Sequence, residues 1–368
     1  MSRERCPIAI RDTRPDTYGD SIPLVSITVI TYNHENYIRQ CLDGILMQIV
    51  DFPVEILVYD DVSPDHTADI IRKYEEKYPW IIKPIYQTEN QYSQGIDVSQ
   101  FNLGRIRGKY VAQCEGDDYW TDPEKLKIQV DFLEKHPEYV GTAHSYMFVD
   151  TESKPIPEAE IIGQLKGIFT LSDIQYYRLP GSTASLIYRD IFKNLSETVT
   201  TAYYNANGYG DQKLAVLLTL HGPIHRFEKV MSAYRYVPIK GTSYSATTSW
   251  KNLCEESYQY LVEMENFATV YYNTSLNTYA LAMCFIFLAI AKYLHHPNEE
   301  NLRVLKEIVL KKSQYPLYTK MMIRTMINSP LHFLDIMTQA GIERLGTRRI
   351  LKKVTQNYRL KTTNDTSE

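Results

Sequence analysis

Four short apolar runs rich in β-branched residues, set apart by stretches of helical length, constrain this chain more than any other feature. LVSITVIT (24–31), VEILVYD (54–60), IIKPIYQ (81–87, weakened by Pro84) and KYVAQCE (109–115) each fit a strand buried on both faces. Between them, Tyr37, Cys41, Ile45 and Gln48 recur at helical spacing across 35–49. Ser63-Pro64-Asp65 predicts a helix start, with Ser63 as N-cap and Pro64 in the first position. Residues 97–107 and the stretch from Asp122 to Lys135 also read as helical, and 139–150 as extended. Strands alternating with helices of this length predict an α/β fold, a mostly parallel sheet flanked by helices.

Beyond residue 150 the pattern loosens into short strands and loops, with one further helix over 211–221. After residue 250 it becomes all-helical, over 251–272, 275–294, 299–313, 316–328 and 330–345. Three parts follow: an irregular arm (1–22), an α/β domain (23–245) and a helical C-terminal region with a basic tail (246–368). The longest apolar run, Tyr279 to Ala291, falls short of the ~20 residues a membrane span needs, so it predicts a buried helix. The charged start carries no apolar stretch of a signal peptide. Five scattered cysteines with no Cys-x-x-Cys argue against a disulfide framework and fit a reducing, cytoplasmic setting. Residues 302–361 hold 13 Lys and Arg against three acids, a surplus that fits contact with an anionic membrane surface or an acidic partner, and equally a solvated helical surface. Its confinement to one end argues against nucleic acid as a partner.

In an open parallel sheet, ligands gather beyond the carboxyl ends of the strands. Three polar clusters stand there: Thr31-Tyr32-Asn33, Asp60-Asp61-Val62-Ser63 and Glu115-Gly116-Asp117-Asp118. Turn formation alone explains a single Asp pair. Three carboxylates within four residues at a buried strand end repel one another unless a cation or donors neutralise them. Hard oxygen ligands at that density suit Mg²⁺ or Mn²⁺, with a diphosphate completing the coordination.

Taken together, PLVSITVITYN, EILVYDDVSPD and GKYVAQCEGDDYWTDPEKL resemble the successive motifs of the family-2 glycosyltransferases with a GT-A fold. The resemblance covers residues 23–240 and is strongest over 23–135. It implies that Asp61 accepts from the base of a nucleotide and that Tyr32 lies against that base, with Thr31 and Asn33 beside it. Glu115-Gly116-Asp117 would be the D-x-D-type motif: Asp117 the metal ligand, Glu115 near the ribose, Asp118 orienting the metal site or the sugar. Asp211, in NGYGDQKLAVLLTLHG, would be the catalytic base. Tyr234-Arg235 resembles the family's closing segment, but Val237 stands where relatives carry a His, leaving Arg235 or Lys240 to supply positive charge. Val62 and His66 replace common glycines, which requires the turn to avoid positive φ there.

The implied activity is inverting transfer from a nucleoside-diphosphate sugar, UDP-sugars favoured, to the hydroxyl of a glycan or lipid-linked acceptor in surface polysaccharide biosynthesis. The alternative is a non-catalytic nucleotide-sugar or glycan-binding protein on the same scaffold. A sugar-1-phosphate nucleotidyltransferase would need a Gly-rich loop where Thr31-Tyr32-Asn33-His34 stand, and an aspartyl phosphatase its Asp pair directly after the first strand; both are absent.

Overall fold

The computed structural model describes residues 6–156, 167–174, 179–206, 210–236 and 250–276. The chain divides into two compact units, residues 1–171 with 179–247, and residues 172–178 with 248–368. In the second unit, helix Trp250–Tyr272 is described, with Met264 and Ala268 fully buried. The helices expected over 275–294, 299–313, 316–328 and 330–345, the segment 240–249 and the basic tail lie outside the described residues. Among the described residues, no helix is long and apolar enough to cross a membrane.

The first unit is built on β1 (Ile8–Ala9), β2 (Val25–Thr31), α1 (Ile38–Leu46), β3 (Ile49–Val50), β4 (Val54–Asp60), α2 (Thr67–Lys77) and β5 (Ile82–Tyr86). It continues with α3 (Ser99–Leu103), β6 (Tyr110–Glu115), β7 (Tyr119–Trp120), α4 (Lys125–Lys135), β8 (Gly141–Val149) and β9 (Gly167–Phe169). It closes with β10 (Ile187–Arg189), α5 (Glu197–Asn205), α6 (Gly210–His221) and β11 (Ile224–Arg235). The main sheet runs β5-β4-β2-β6-β10-β8-β11-β7, with β9 on β11. Its first four strands are parallel, as the alternating pattern requires. Beyond β6 the sheet is mixed: β10 runs antiparallel to both neighbours, while β8 and β11 pair in parallel.

The four apolar runs became β2, β4, β5 and β6. β4 is buried at every position and β2 at all but Ile30, because helices cover both faces and leave no solvent side. α1 turns Ile38, Cys41, Leu42 and Ile45 into the core. Two expectations are corrected. The arm at 1–22 is not wholly irregular, since β1 pairs antiparallel with β3 and Ile10 is fully buried. The helix expected at Ser63-Pro64 starts only at Thr67, because the loop before it is tied to the loop after β2.

Candidate active site

The parallel pairing of β4, β2 and β6 brings the three polar clusters to one edge of the sheet. The Asp61 amide donates to the Thr31 carbonyl (3.1 Å) and the Gly116 amide to the Ile30 carbonyl (2.9 Å), so Asp61 and the acidic turn flank the end of β2. Any side chain at Gly116 would collide with this arrangement: a Cβ there would lie 2.6 Å from Thr31 Oγ1 and 2.8 Å from His34 Nδ1.

The loops after β2 and β4 are zipped together. Asn33 N donates to Ser63 Oγ (2.9 Å), His34 N to Thr67 Oγ1 (2.8 Å) and Glu35 N to Asp65 Oδ2 (2.9 Å). His66 N returns a bond to Glu35 Oε2 (2.9 Å). Ser63, expected as the N-cap, serves this zip instead, while Asp65 does both, its Oδ1 accepting from the amide of Thr67, the first residue of α2 (3.0 Å). The zip holds Asn33 at φ 60° and Val62 at φ 61°. The expectation that the turn avoids positive φ at Val62 is therefore wrong. A β-branched residue sits in the left-handed region, where such strain survives only if the surroundings over-determine it.

Tyr32 presents a 47% exposed ring at the strand end, free to carry a flat ligand. Thr31 is buried and its hydroxyl engages His34 Nδ1 at 3.1 Å, so it orients a neighbour. Asp61 is buried with both oxygens engaged: Oδ1 by the Tyr59 hydroxyl (3.0 Å) and Gln91 N (2.9 Å), Oδ2 by Tyr92 N (3.0 Å). A carboxylate has about four acceptor sites, which leaves one for a ligand. Asp60 accepts from the Ser63 amide and hydroxyl and stays within its own turn.

In the acidic turn, Asp118 N closes on the Glu115 carbonyl (3.0 Å) and Asp118 Oδ1 accepts from Arg235 N (2.8 Å). Arg235 is 3% exposed, and its guanidinium is spent on the Asp117 carbonyl (2.8 Å), the Asp150 carbonyl (2.9 Å), Ser153 Oγ (3.1 Å) and Gln40 Oε1 (2.8 Å). It braces the turn from behind and is not available to a ligand, which corrects its assignment as a free positive charge. Lys240 and Val237 lie outside the described residues.

The carboxylates feel one another. Glu115 is exposed at the strand end; its pKa is pushed up to about 8, by desolvation and then by the charges of Asp117 and Asp211. Its Oε1 accepts from Thr183 Oγ1 at 3.3 Å. Asp118 is pushed well above the carboxylate range by burial, then by Asp117 and Glu115. Asp211, in the first turn of α6, is raised by burial, opposed by the Gln212 amide on Oδ1 (2.8 Å). The Tyr146 hydroxyl is raised to about 12 by burial, then by Asp118 and Asp211. Glu115, Asp117, Asp118 and Asp211 thus share one neighbourhood, which also holds His34, Tyr146 and Thr183.

These last three were not singled out in the sequence. A lone His, Tyr or Thr carries no periodicity or spacing signal, and only the sheet order β2-β6-β10-β8 brings them to the acids.

Among the described residues, no group of three or more His, Cys, Asp or Glu is placed to hold a metal by itself. Chemistry does not centre on the cavity of about 1040 Å³ at the opposite edge of the sheet, lined by Leu24, Phe52, Arg107, Lys109 and Lys193. Its three cations are neutralised by Glu55, Glu134 and Asp190.

Comparison with known proteins agrees with this geometry. The model of Glycosyl transferase family 2 matches residues 26–195. An uncharacterized protein of Mycobacterium tuberculosis is 47% identical over 122 residues, 33% of this chain and 34% of that protein. The poly(ribitol-phosphate) beta-N-acetylglucosaminyltransferase TarS of Staphylococcus aureus is 30% identical over 203 residues, 50% of this chain and 33% of that protein. The matched stretches thus span about a third of the length of these curated relatives. The fold is shared with S. aureus TarS 1–349, solved in complex with UDP-GlcNAc, at TM-score 0.53 and 20% identity, covering 77% of this chain and 80% of that one. Residues 26–195 thus match glycosyltransferase family 2, on a mixed sheet whose fold is shared with TarS.

Proposed function

We propose that the protein is a divalent-metal-dependent, inverting glycosyltransferase. It moves a sugar from a nucleoside diphosphate, UDP favoured, to a hydroxyl of a glycan or lipid-linked acceptor in surface polysaccharide assembly. The observation that carries this reading is the convergence of Asp117 and Asp211 on Glu115, brought by the end of β6 and the start of α6 to one sheet edge. Such a cluster is costly to maintain for structure alone.

In this reading the nucleotide base stacks on Tyr32 and takes the remaining acceptor site of Asp61. Glu115, with Thr183 beside it, faces the ribose, and Asp118 holds the turn in shape through the Arg235 amide. Asp117 would hold Mn²⁺ or Mg²⁺. When bound, the ion supplies Lewis-acid stabilisation of charge on the departing diphosphate. Asp211 removes the acceptor proton as the oxygen attacks. Burial raises the affinity of Asp211 for a proton, as suits a general base. In-line attack on the face opposite the diphosphate gives inversion. The basic C-terminal tail would dock on an anionic membrane surface at the cytoplasmic face.

The test is Asp211→Asn, assayed against UDP-sugars with Mn²⁺. Turnover should fall by about 10²–10⁴-fold, with UDP affinity nearly intact. Asp117→Asn should weaken metal-dependent UDP binding and turnover alike. Near-normal turnover in Asp211→Asn would remove that residue as the base.

A further inference from the structure

His34 is held more firmly than a loop histidine needs to be. Its amide is fixed by Thr67 Oγ1, and its carbonyl accepts the Tyr37 and Ile38 amides that begin α1 (2.9 and 2.8 Å). On the ring, Nδ1 sits 3.1 Å from Thr31 Oγ1, and the acidic turn lies directly against it because residue 116 has no side chain. The other nitrogen, Nε2, faces Asp117 Oδ2 at 3.9 Å, with both side chains mostly buried.

That separation is informative. It is too long for an N–H···O hydrogen bond, whose range is about 2.7–3.2 Å. Two ligands each about 2.1 Å from a common ion stand about 3.0 Å apart when cis in an octahedron and about 4.2 Å apart when trans. The observed gap falls between these limits. In the tautomer with the proton on Nδ1, that N–H donates to Thr31 Oγ1 and Nε2 carries the lone pair on the side of Asp117. Metal-binding histidines are oriented in this way, one nitrogen tethered and the other presented.

We propose that His34 Nε2 and Asp117 Oδ2 together form the protein's share of the divalent-cation site, a nitrogen–oxygen pair in place of a carboxylate alone. The inference rests on the glycosyltransferase reading and adds a ligand to it. One imidazole nitrogen shifts preference away from Mg²⁺, which favours oxygen, toward Mn²⁺ and the later transition ions. His34 thereby becomes a metal-selectivity residue, and Thr31 its positioning residue.

The experiment uses the full chain with Mn²⁺ and UDP. Pulsed electron spin-echo modulation of bound Mn²⁺ should show coupling to an imidazole ¹⁴N in the wild type and none in His34→Gln. Titration of free Mn²⁺ should show affinity falling tenfold or more in His34→Gln and His34→Ala, with Mg²⁺ affinity changing much less. A wild-type complex that binds Mn²⁺, loses it in Asp117→Asn and yet shows no ¹⁴N coupling overturns the His34 assignment and leaves the glycosyltransferase reading standing. Coupling that persists in a folded His34→Gln does the same. No Mn²⁺ binding in the presence of either UDP or GDP overturns both. The wild-type spectrum decides the matter even if a variant fails to fold.

Discussion

Lys213 offers the sharpest test of how the helix that bears Asp211 is held. It lies two residues after Asp211 on α6, and its side chain is 2% exposed. Its ammonium sits 2.8 Å from Asp97 Oδ2, in the loop that leads into α3, and donates to the carbonyls of Ala206 (3.2 Å) and Tyr203 (3.4 Å) at the end of α5. One cation thus ties three segments. Lys213→Met keeps the aliphatic stem and removes the charge, leaving the 13% exposed Asp97 carboxylate supported only through Oδ1 by Ser99. Breaking a buried pair from one side costs about 3–5 kcal/mol. For a unit of this size each kcal/mol moves the melting temperature by about 2–4 °C, so a drop of about 6–12 °C is expected at the lower cost. Scanning calorimetry on Lys213→Met, Asp97→Asn and the double variant should give a coupling energy of about 2 kcal/mol. Turnover should fall too, because the start of α6 loses its anchor. A Lys213→Met protein melting within 2 °C of wild type, or strictly additive single effects, would refute the strut.

Three further outcomes are expected. Val62→Gly removes a left-handed strain of about 1–2 kcal/mol at a backbone-entropy cost of about 0.5–1 kcal/mol, so melting should be unchanged or slightly higher; a clear loss of stability would show that the turn is not strained. Gly116→Ala should cost about 1–3 kcal/mol and lower Mn²⁺ affinity, since its methyl overlaps Thr31 and His34; binding titration and melting check this together. Glu115 and Asp118 have folded pKa values raised above their unfolded ones, so between the unfolded value near 4.5 and about 8 the folded metal-free protein holds more protons. Its stability should therefore decline as pH rises through that window, and Mn²⁺ with UDP should suppress the decline; a metal-free melting temperature that climbs across pH 5–8 would contradict the repulsion.

The parallel half of the sheet was legible because burial on both faces leaves continuous β-branched runs, as in β2 and β4. The acidic turn was legible because its residues are adjacent in the chain. What escaped depends on distant pairing or on competing propensities. β11 has a bulge where residues 228–230 turn to solvent, so neither an apolar run nor a clean alternation marks it. α5 is written in strand-favouring Thr, Val and Tyr, and tertiary context together with the Ser196 cap on Val199 N (3.3 Å) makes it a helix. Arg235 was seen as a charge, whereas its guanidinium makes four hydrogen bonds, to two carbonyls, a hydroxyl and an amide 82 to 195 residues away. His34 and Lys213 draw their meaning entirely from partners on other elements.

The closure of Asp118 on the amide of Arg235 spans 117 residues of chain. Every carboxylate of the acidic turn is synthesised early, yet the strand that finishes the turn is the last of the sheet, and it lies beyond residue 195, where the family match stops. A nascent polypeptide halted at that point would carry the motif without its keystone. The acidic turn should thus be completed late and in one step, when β11 slots beside β8. Truncation, domain swapping or grafting of this fold must retain residue 235.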